Sequence, residues 1–268
     1  MKQQWDELER WEQCFFEGNQ SELVMLYDVW QENWLSKLND KRKRQFLVLV
    51  ESGIVHLHSA LLHNRSFEDV VQRIITQARI FKPTLSTAEE MKQLSLEQTN
   101  YLAEQAMAKQ RLLSLGQGGV TGLGGFVLLA ADLPALMAIQ LRSLQQLAFI
   151  YGYDPRHPME QMLMLKLLHV ATVPKHYQRA EWDKLIEDCQ LHQQAIFYEG
   201  DDAIFHEGWL QQLTTQLAKG FLIAFMRKKT VQSVPLLGIV IGAGSNYLFT
   251  KQVIEVAKHF YTKRRLLE

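Results

Sequence analysis

The residues most able to do chemistry in this 268-residue sequence are its 9 histidines, which can act as metal ligands or general bases. Three of them follow a carboxylate at the helical spacing of four residues: Asp188/His192, Asp202/His206 and Glu255/His259. Such pairs share a helix face and could share a metal ion, but none belongs to a His-Glu-x-x-His or Glu-x-x-His pattern. We therefore expect these histidines to form salt bridges or face solvent, with no metal site.

The glycine-rich run Gly116-Gln117-Gly118-Gly119-Val120-Thr121 is a second place for chemistry, because glycine-rich loops bind phosphate groups. Thr121 stands where the third glycine of a dinucleotide-binding motif would lie, and no Gly-Lys-Ser/Thr follows. No Gly-x-Ser-x-Gly nucleophile motif is present, and Cys14 and Cys189 belong to no catalytic pattern. The sequence therefore predicts no catalytic residue and no cofactor.

Asp132 and Arg142 are the strongest polar candidates, because both lie in apolar surroundings where an unpaired charge is costly. Asp132 precedes Leu133-Pro134, and proline is tolerated in the first turn of a helix. We therefore expect a helix to start here with Asp132 as its cap. For Arg142, a buried ion pair and a contact with a phospholipid head group are both open.

The elements that must position these residues are predicted to be helices nearly throughout. Trp5, Leu8, Trp11 and Phe15 recur at spacings of three and four, which gives one apolar helix face. Capping boxes at Ser86–Glu90 and Ser95–Gln98 mark two further helix starts. No convincing strand alternation is present. We predict an all-α fold with a single compact multi-helix domain over 1–268, whose parts are 1–111, 112–152, 153–229 and 230–268.

Two apolar, glycine-rich segments interrupt this pattern. Gly118, Gly122 and Gly125 are spaced by four and three residues, and Gly238, Gly242 and Ser245 repeat that spacing. Small residues on one helix face allow the backbones of two helices to approach closely. We therefore predict that the two segments pack against each other, and that residues 112–152 form a glycine-rich apolar hairpin in the core. A membrane span and a hairpin that inserts into or lies on a membrane are the open alternatives.

Charge is distributed unevenly along the chain. Lys+Arg and Asp+Glu are both 29, so a general nucleic-acid binder is disfavoured. The last 43 residues nevertheless hold 8 basic and 2 acidic side chains, a balance of +6. Basic side chains beside an apolar segment can contact anionic head groups. We expect membrane contacts at Lys228, Lys229, Lys263, Arg264 and Arg265. The bases at the chain end should be exposed, so replacing Lys263, Arg264 and Arg265 with Gln should leave the fold intact.

The order of several motifs resembles the EcsC family over essentially the whole chain. These motifs are Gly118–Gly125, Ala131–Pro134, Gln140-Leu141-Arg142, Tyr151-Gly152-Tyr153, Pro235–Gly238, Gly242–Tyr247 and the closing Tyr261/Arg264. The resemblance implies an association with an ABC transporter, and it assigns no reaction and no catalytic residue.

These observations together predict a non-enzymatic accessory protein at the cytoplasmic membrane face. Its expected partners are an anionic lipid or an ABC transporter, and no nucleic acid. Met1–Trp11 is charged and lacks the apolar segment of a signal peptide, which favours the cytoplasm. The alternative is a small hydrolase or transferase for a lipidic substrate, with an apolar pocket between the glycine-rich helices.

Overall fold

Every regular element in the described part of the chain is helical, which confirms the all-α prediction. The computed structural model describes residues 2–17, 65–121, 126–173, 175–194 and 235–268. Within these ranges the helices are α1 Lys2–Glu12, α2 Arg65–Ala78, α3 Ala88–Met91, α4 Leu96–Thr121, α5 Phe126–Ile150, α6 Pro158–Thr172, α7 Lys175–Gln194 and α8 Pro235–Leu267. A π-helical turn, Gln13–Glu17, extends α1. Across those ranges, no helix is both long and apolar enough to cross a bilayer.

Two helix starts follow directly from the sequence. The Thr87 hydroxyl accepts a hydrogen bond from the amide of Glu90, and the Glu90 carboxylate accepts one from the amide of Thr87. Ser95 and Gln98 exchange the same two bonds before α4. Hydrogen bonds from Ser86 and Thr87 lower the pKa of the Glu90 carboxyl. Both predicted capping boxes are therefore confirmed.

The predicted helix start at Asp132 is wrong. Helix α5 begins at Phe126 and continues without a break to Ile150, so Asp132 and Pro134 lie inside it. Leucine and alanine, which fill positions 128–131, are among the strongest helix formers. They extend the helix upstream, and Pro134 removes only one backbone amide from it. Asp132 therefore does not act as an N-cap.

Helix α8 is the centre of the described fold. It packs most extensively along α4 and also contacts α5 and α6. The largest fully buried side chains belong to this core: Trp182, Tyr151, Tyr261, Phe67 and Phe260. The C-terminal helix is thus an internal element, which determines where its charged residues must lie.

Helix α1 packs on α8 through its predicted apolar face. Leu8 is buried, and the Trp11 ring stacks on the His259 ring with centroids 3.9 Å apart. The Trp11 indole also donates a 2.8 Å hydrogen bond to the Glu255 carboxylate. The spacing of Leu8, Trp11 and Phe15 therefore predicted this contact face correctly.

The glycine-rich segments lie at helix ends. Gly118 is in the last turn of α4, and Gly238 and Gly242 are in the first turns of α8. The two helices pack against each other, as expected of partners in one core. Gly122 and Gly125 lie outside the described residues. Close packing of the glycine faces and the hairpin itself stay predictions.

Candidate anion-binding cleft

A cleft of about 440 Å³ lies between α2, α4 and α5. Each helix contributes one cation to it: Arg73 from α2, Lys109 from α4 and Arg142 from α5. The volume is within the range of small-molecule sites, which is about 300–1,000 Å³. Because the three charges come from three helices, they surround the cleft from different sides. We call this feature the cationic cleft.

The rest of the lining is amide and apolar. The remaining residues are Val70, Ile74, Gln77, Gln105, Ala106, Gln110, Leu113 and Gln146. Glutamine amides can donate two hydrogen bonds each, while arginine and lysine are donors without acceptor capacity. No aspartate or glutamate from the described ranges lines the cleft. The lining is therefore rich in donors and lacks a negative counter-charge among those residues.

Helical spacing explains why these side chains face one another. On α4 the lining residues include Gln105, Lys109 and Leu113, which are four residues apart. On α5 Arg142 and Gln146 have the same spacing. Residues four apart lie on one helix face, one turn above the other. Each helix thus presents a stripe of polar residues to the cleft.

The cations differ in burial and in their contacts. Arg73 and Lys109 are exposed, and Arg142 is half-buried. Burial lowers the pKa of the Arg142 guanidinium, and the charge of Arg73 lowers it further. Arg73 donates through Nε to the Asp69 carbonyl at 3.2 Å. Neither Arg73 nor Lys109 forms a salt bridge within the described ranges.

Exposed apolar surface occurs in the lining of the cationic cleft at Leu113, which is 50% exposed, and other exposed apolar residues follow the lining residues in the sequence. Beyond the end of α2, Ile80 is 82% exposed, and the Phe81 ring meets the Tyr101 ring edge-on at 6.1 Å. The Tyr101 hydroxyl accepts a 2.6 Å hydrogen bond from Gln105, which lines the cleft. Further along α4, Leu112 is 65% exposed. Apolar surface at Leu113 therefore accompanies the cations of the cleft.

Of the predicted site residues that the structure describes, Arg142 is the one in the lining of the cationic cleft. Arg73 and Lys109 were missed, because exposed basic residues on helices are usually solvated. The available signal was the repeat of basic and amide residues at positions 73 and 77, 105 and 109, and 142 and 146. That signal has meaning only when three helices bring the stripes together.

The expected exposure of the C-terminal bases is wrong. The Lys263 ammonium lies 2.6 Å from the Glu12 carboxylate, with only 18% of its side chain exposed. The buried Arg264 forms a 2.6 Å ion pair with Glu160. The reason is that α8 is central, so its charges meet carboxylates from α1 and α6.

Arg265 also faces inward. Its guanidinium donates to the carbonyl oxygens of Lys92 at 2.9 Å and Leu94 at 3.1 Å. Lys228 and Lys229 lie outside the described residues. Lipid contact by these C-terminal bases therefore stays a prediction, and the expectation that their neutralisation spares the fold no longer holds.

The closing tyrosine–arginine motif forms a buried network at the end of α8. Tyr261 donates a 2.7 Å hydrogen bond to the Glu160 carboxylate, which also binds Arg264. The Arg264 guanidinium lies over the Tyr153 ring at 3.7 Å. Burial raises the pKa of the Tyr153 and Tyr261 hydroxyls well above their usual value, so both stay protonated. These motif residues join α8 to α6 and to the segment after α5.

Two other reactive groups of the described ranges, Cys189 and His259, are buried or half-buried in the helix packing. Burial raises the pKa of the Cys189 thiol to about 11, so it is protonated at neutral pH. His259 bonds the backbone carbonyl of Glu255 at 2.7 Å and stacks on Trp11. No group of three or more metal-ligating side chains occurs in the part of the chain that the structure describes.

Comparison with known proteins identifies the class. The EcsC family model matches residues 2–266, so the chain belongs to the EcsC protein family. It is 27% identical to YdbA of Bacillus subtilis, an uncharacterised protein, over 100% of this chain and 93% of the relative. It is 23% identical to Protein EcsC of the same organism, over 89% of this chain and 93% of the relative. No solved structure matches the chain.

Proposed function

We propose that this EcsC-family protein is a non-enzymatic accessory protein that attaches to the cytoplasmic face of the membrane by binding anionic lipid. The observation behind this proposal is the cationic cleft itself, with an exposed apolar side chain in its lining. Arg73, Lys109 and Arg142 lie in a lining without a described carboxylate. Each basic residue near an anionic membrane surface contributes about 1 kcal/mol of attraction.

The apolar surface in the lining supports a membrane in particular. Leu113 lines the cleft with half of its surface exposed, so apolar surface lies beside the cations. A bilayer offers anionic head groups and hydrocarbon side by side. A cationic cleft with apolar neighbours matches both layers of such a surface.

The same lining favours binding over catalysis. Among the cleft residues from the described ranges, Lys109 is the one side chain able to act as a nucleophile or general base, and none is a serine, cysteine, histidine, aspartate or glutamate. A hydrolase or transferase needs a nucleophile or a general base within reach of its substrate. An ABC transporter as protein partner is the second element of the proposal, and it rests on the family resemblance alone.

Vesicle flotation of the full chain tests the lipid half of the proposal. We expect binding to vesicles with phosphatidylglycerol to exceed binding to phosphatidylcholine vesicles and to weaken with salt, because exposed charges are screened over about 8 Å. The double variant Arg73→Gln/Lys109→Gln should lose up to about 2 kcal/mol of this attraction.

The matched control is Arg10→Gln/Lys2→Gln on α1. Arg10 donates through Nε to the carbonyl four residues earlier, as Arg73 does, and both variants remove two charges. Equal weakening of vesicle binding in the two double variants would show that net charge determines the binding and that the cleft has no specific role. If the wild-type protein does not bind phosphatidylglycerol vesicles at any salt concentration, lipid attachment is refuted.

A further inference from the structure

The cationic cleft has more features than general attraction to a charged membrane requires. Three cations from three helices surround one volume, and four glutamines lie between them. Gln146 is only 4% exposed, and its amide nitrogen has no hydrogen-bond partner among the described residues. A buried amide donor without a partner is costly. A bound group with several acceptor oxygens would satisfy it.

The positive charges also oppose one another. Arg73 on α2 and Arg142 on α5 line the same cleft, and their like charges repel each other. A bound anion would relieve that repulsion. A doubly charged anion would relieve more of it than a singly charged one, because the interaction scales with charge.

The geometry points to a tetrahedral anion. The lining brings donors from three helices, α2, α4 and α5, to one volume. A carboxylate is planar and offers two oxygens, whereas a phosphate monoester offers three free oxygens and up to two negative charges. Val70, Ile74, Ala106 and Leu113 supply an apolar wall for the organic part of such a ligand.

We propose that the cationic cleft binds a phosphate monoester, as a lipid head group or a free phosphate ester, in preference to singly charged anions. Arg73, Lys109 and Arg142 hold the phosphate oxygens, and the glutamine amides complete the donor set. Recognition of a lipid rests on the membrane attachment proposed above, whereas recognition of a free ester does not.

Vesicles of equal surface charge test the preference. One set contains phosphatidic acid, a phosphate monoester, and the other contains phosphatidylglycerol, a diester. We expect tighter binding to phosphatidic acid, and the preference should disappear below about pH 6, where a phosphate monoester takes up a proton. Arg73→Gln and Lys109→Gln should each weaken binding to phosphatidic acid by about fivefold, while Arg10→Gln should preserve it.

Calorimetric titration with glycerol 3-phosphate, with acetate as the planar comparison, distinguishes the ligand's source. Binding of glycerol 3-phosphate but of no vesicle would support the cleft as a free-ester site and refute membrane attachment. Equal binding of both vesicle types, without binding of glycerol 3-phosphate, would overturn the phosphate site and leave attachment standing. Both Gln variants replace exposed side chains, and circular dichroism melting checks that they fold.

Discussion

At the scale of single residues, the sequence predicted hydrogen bonds between neighbouring residues. It did not predict which distant residues the fold brings together. The capping pair Thr87 and Glu90 lies three residues apart, so its hydrogen bonds need no tertiary information. Lys109 and Arg73 are ordinary basic helix residues until the fold places them around one cleft. The candidate site could therefore be predicted only at Arg142, whose apolar surroundings made its charge conspicuous.

Gly152 shows a residue-scale requirement with a clear test. Its φ is +95°, and a Cβ added there would lie 2.3 Å from Cγ and 3.1 Å from the backbone nitrogen of Lys92. We expect Gly152→Ala to destabilise the protein by about 1–3 kcal/mol, because it combines a strained backbone with a steric clash. Urea unfolding at equilibrium measures this.

Gly116 provides the matched control. It lies in α4, and a Cβ there would meet nothing within 4 Å. Gly116→Ala should therefore stabilise the protein by about 0.5–1 kcal/mol, since alanine has the higher helix propensity. Equal effects of the two substitutions would show that the space around Gly152 is not limiting.

At the scale of elements, the sequence pattern predicted correctly that the elements are helices. It gave the wrong start for α5 and the wrong environment for α8. The Asp-Leu-Pro sequence at 132–134 has the composition of a helix start, yet α5 begins six residues earlier at Phe126. The strong helix formers upstream outweigh the local signal. The basic composition of α8 predicted a solvent-facing element, whereas its packing on α4, α5 and α6 makes it internal. Burial depends on tertiary partners that composition does not reveal.

The buried pair of α8 and α6 gives the prediction at this scale. Arg264 and Glu160 are both buried and lie 2.6 Å apart. Arg264→Gln leaves the Glu160 carboxylate buried without its cation, which should cost about 3–5 kcal/mol of stability. Thermal and urea unfolding measure the loss.

Arg156→Gln is the comparison variant, because it removes the cation of an exposed ion pair with Glu68. It should cost less than about 1 kcal/mol. A similar small cost for Arg264→Gln would mean that the end of α8 is not anchored by this pair, and that neutralising it in membrane experiments is harmless. A large cost would make any loss of lipid binding in that variant uninterpretable.

At the scale of the whole molecule, the neutral net charge conceals two different environments of the cations. The bases of α8 pair with carboxylates of other helices, for example Lys263 with Glu12. Arg73 of α2, Lys109 of α4 and Arg142 of α5 instead line the cationic cleft. Charge counted along the sequence placed the membrane-facing surface in the last 43 residues. Charge counted after internal pairing instead directs attention to the cationic cleft, the surface that we propose for membrane contact.

Stability of the whole chain should also fall in mild acid. Burial lowers the pKa of His169 on α6, against a smaller opposing effect of Glu181, whose carboxylate lies 3.6 Å away. Burial likewise lowers the pKa of His259 on α8. Both imidazoles are therefore harder to protonate in the folded chain than in the unfolded chain, where a histidine has a pKa of about 6.5.

The sign of the effect follows from proton uptake on unfolding. Above about pH 6.5 neither state binds the extra protons and the stabilising effect is complete, whereas below it the unfolded chain binds more protons and stability falls. We expect His169→Gln to flatten the decrease in unfolding free energy as pH falls. His157→Gln, at the exposed start of α6, controls for the loss of an imidazole. An unchanged pH slope in the His169 variant would show that its burial contributes nothing to acid sensitivity.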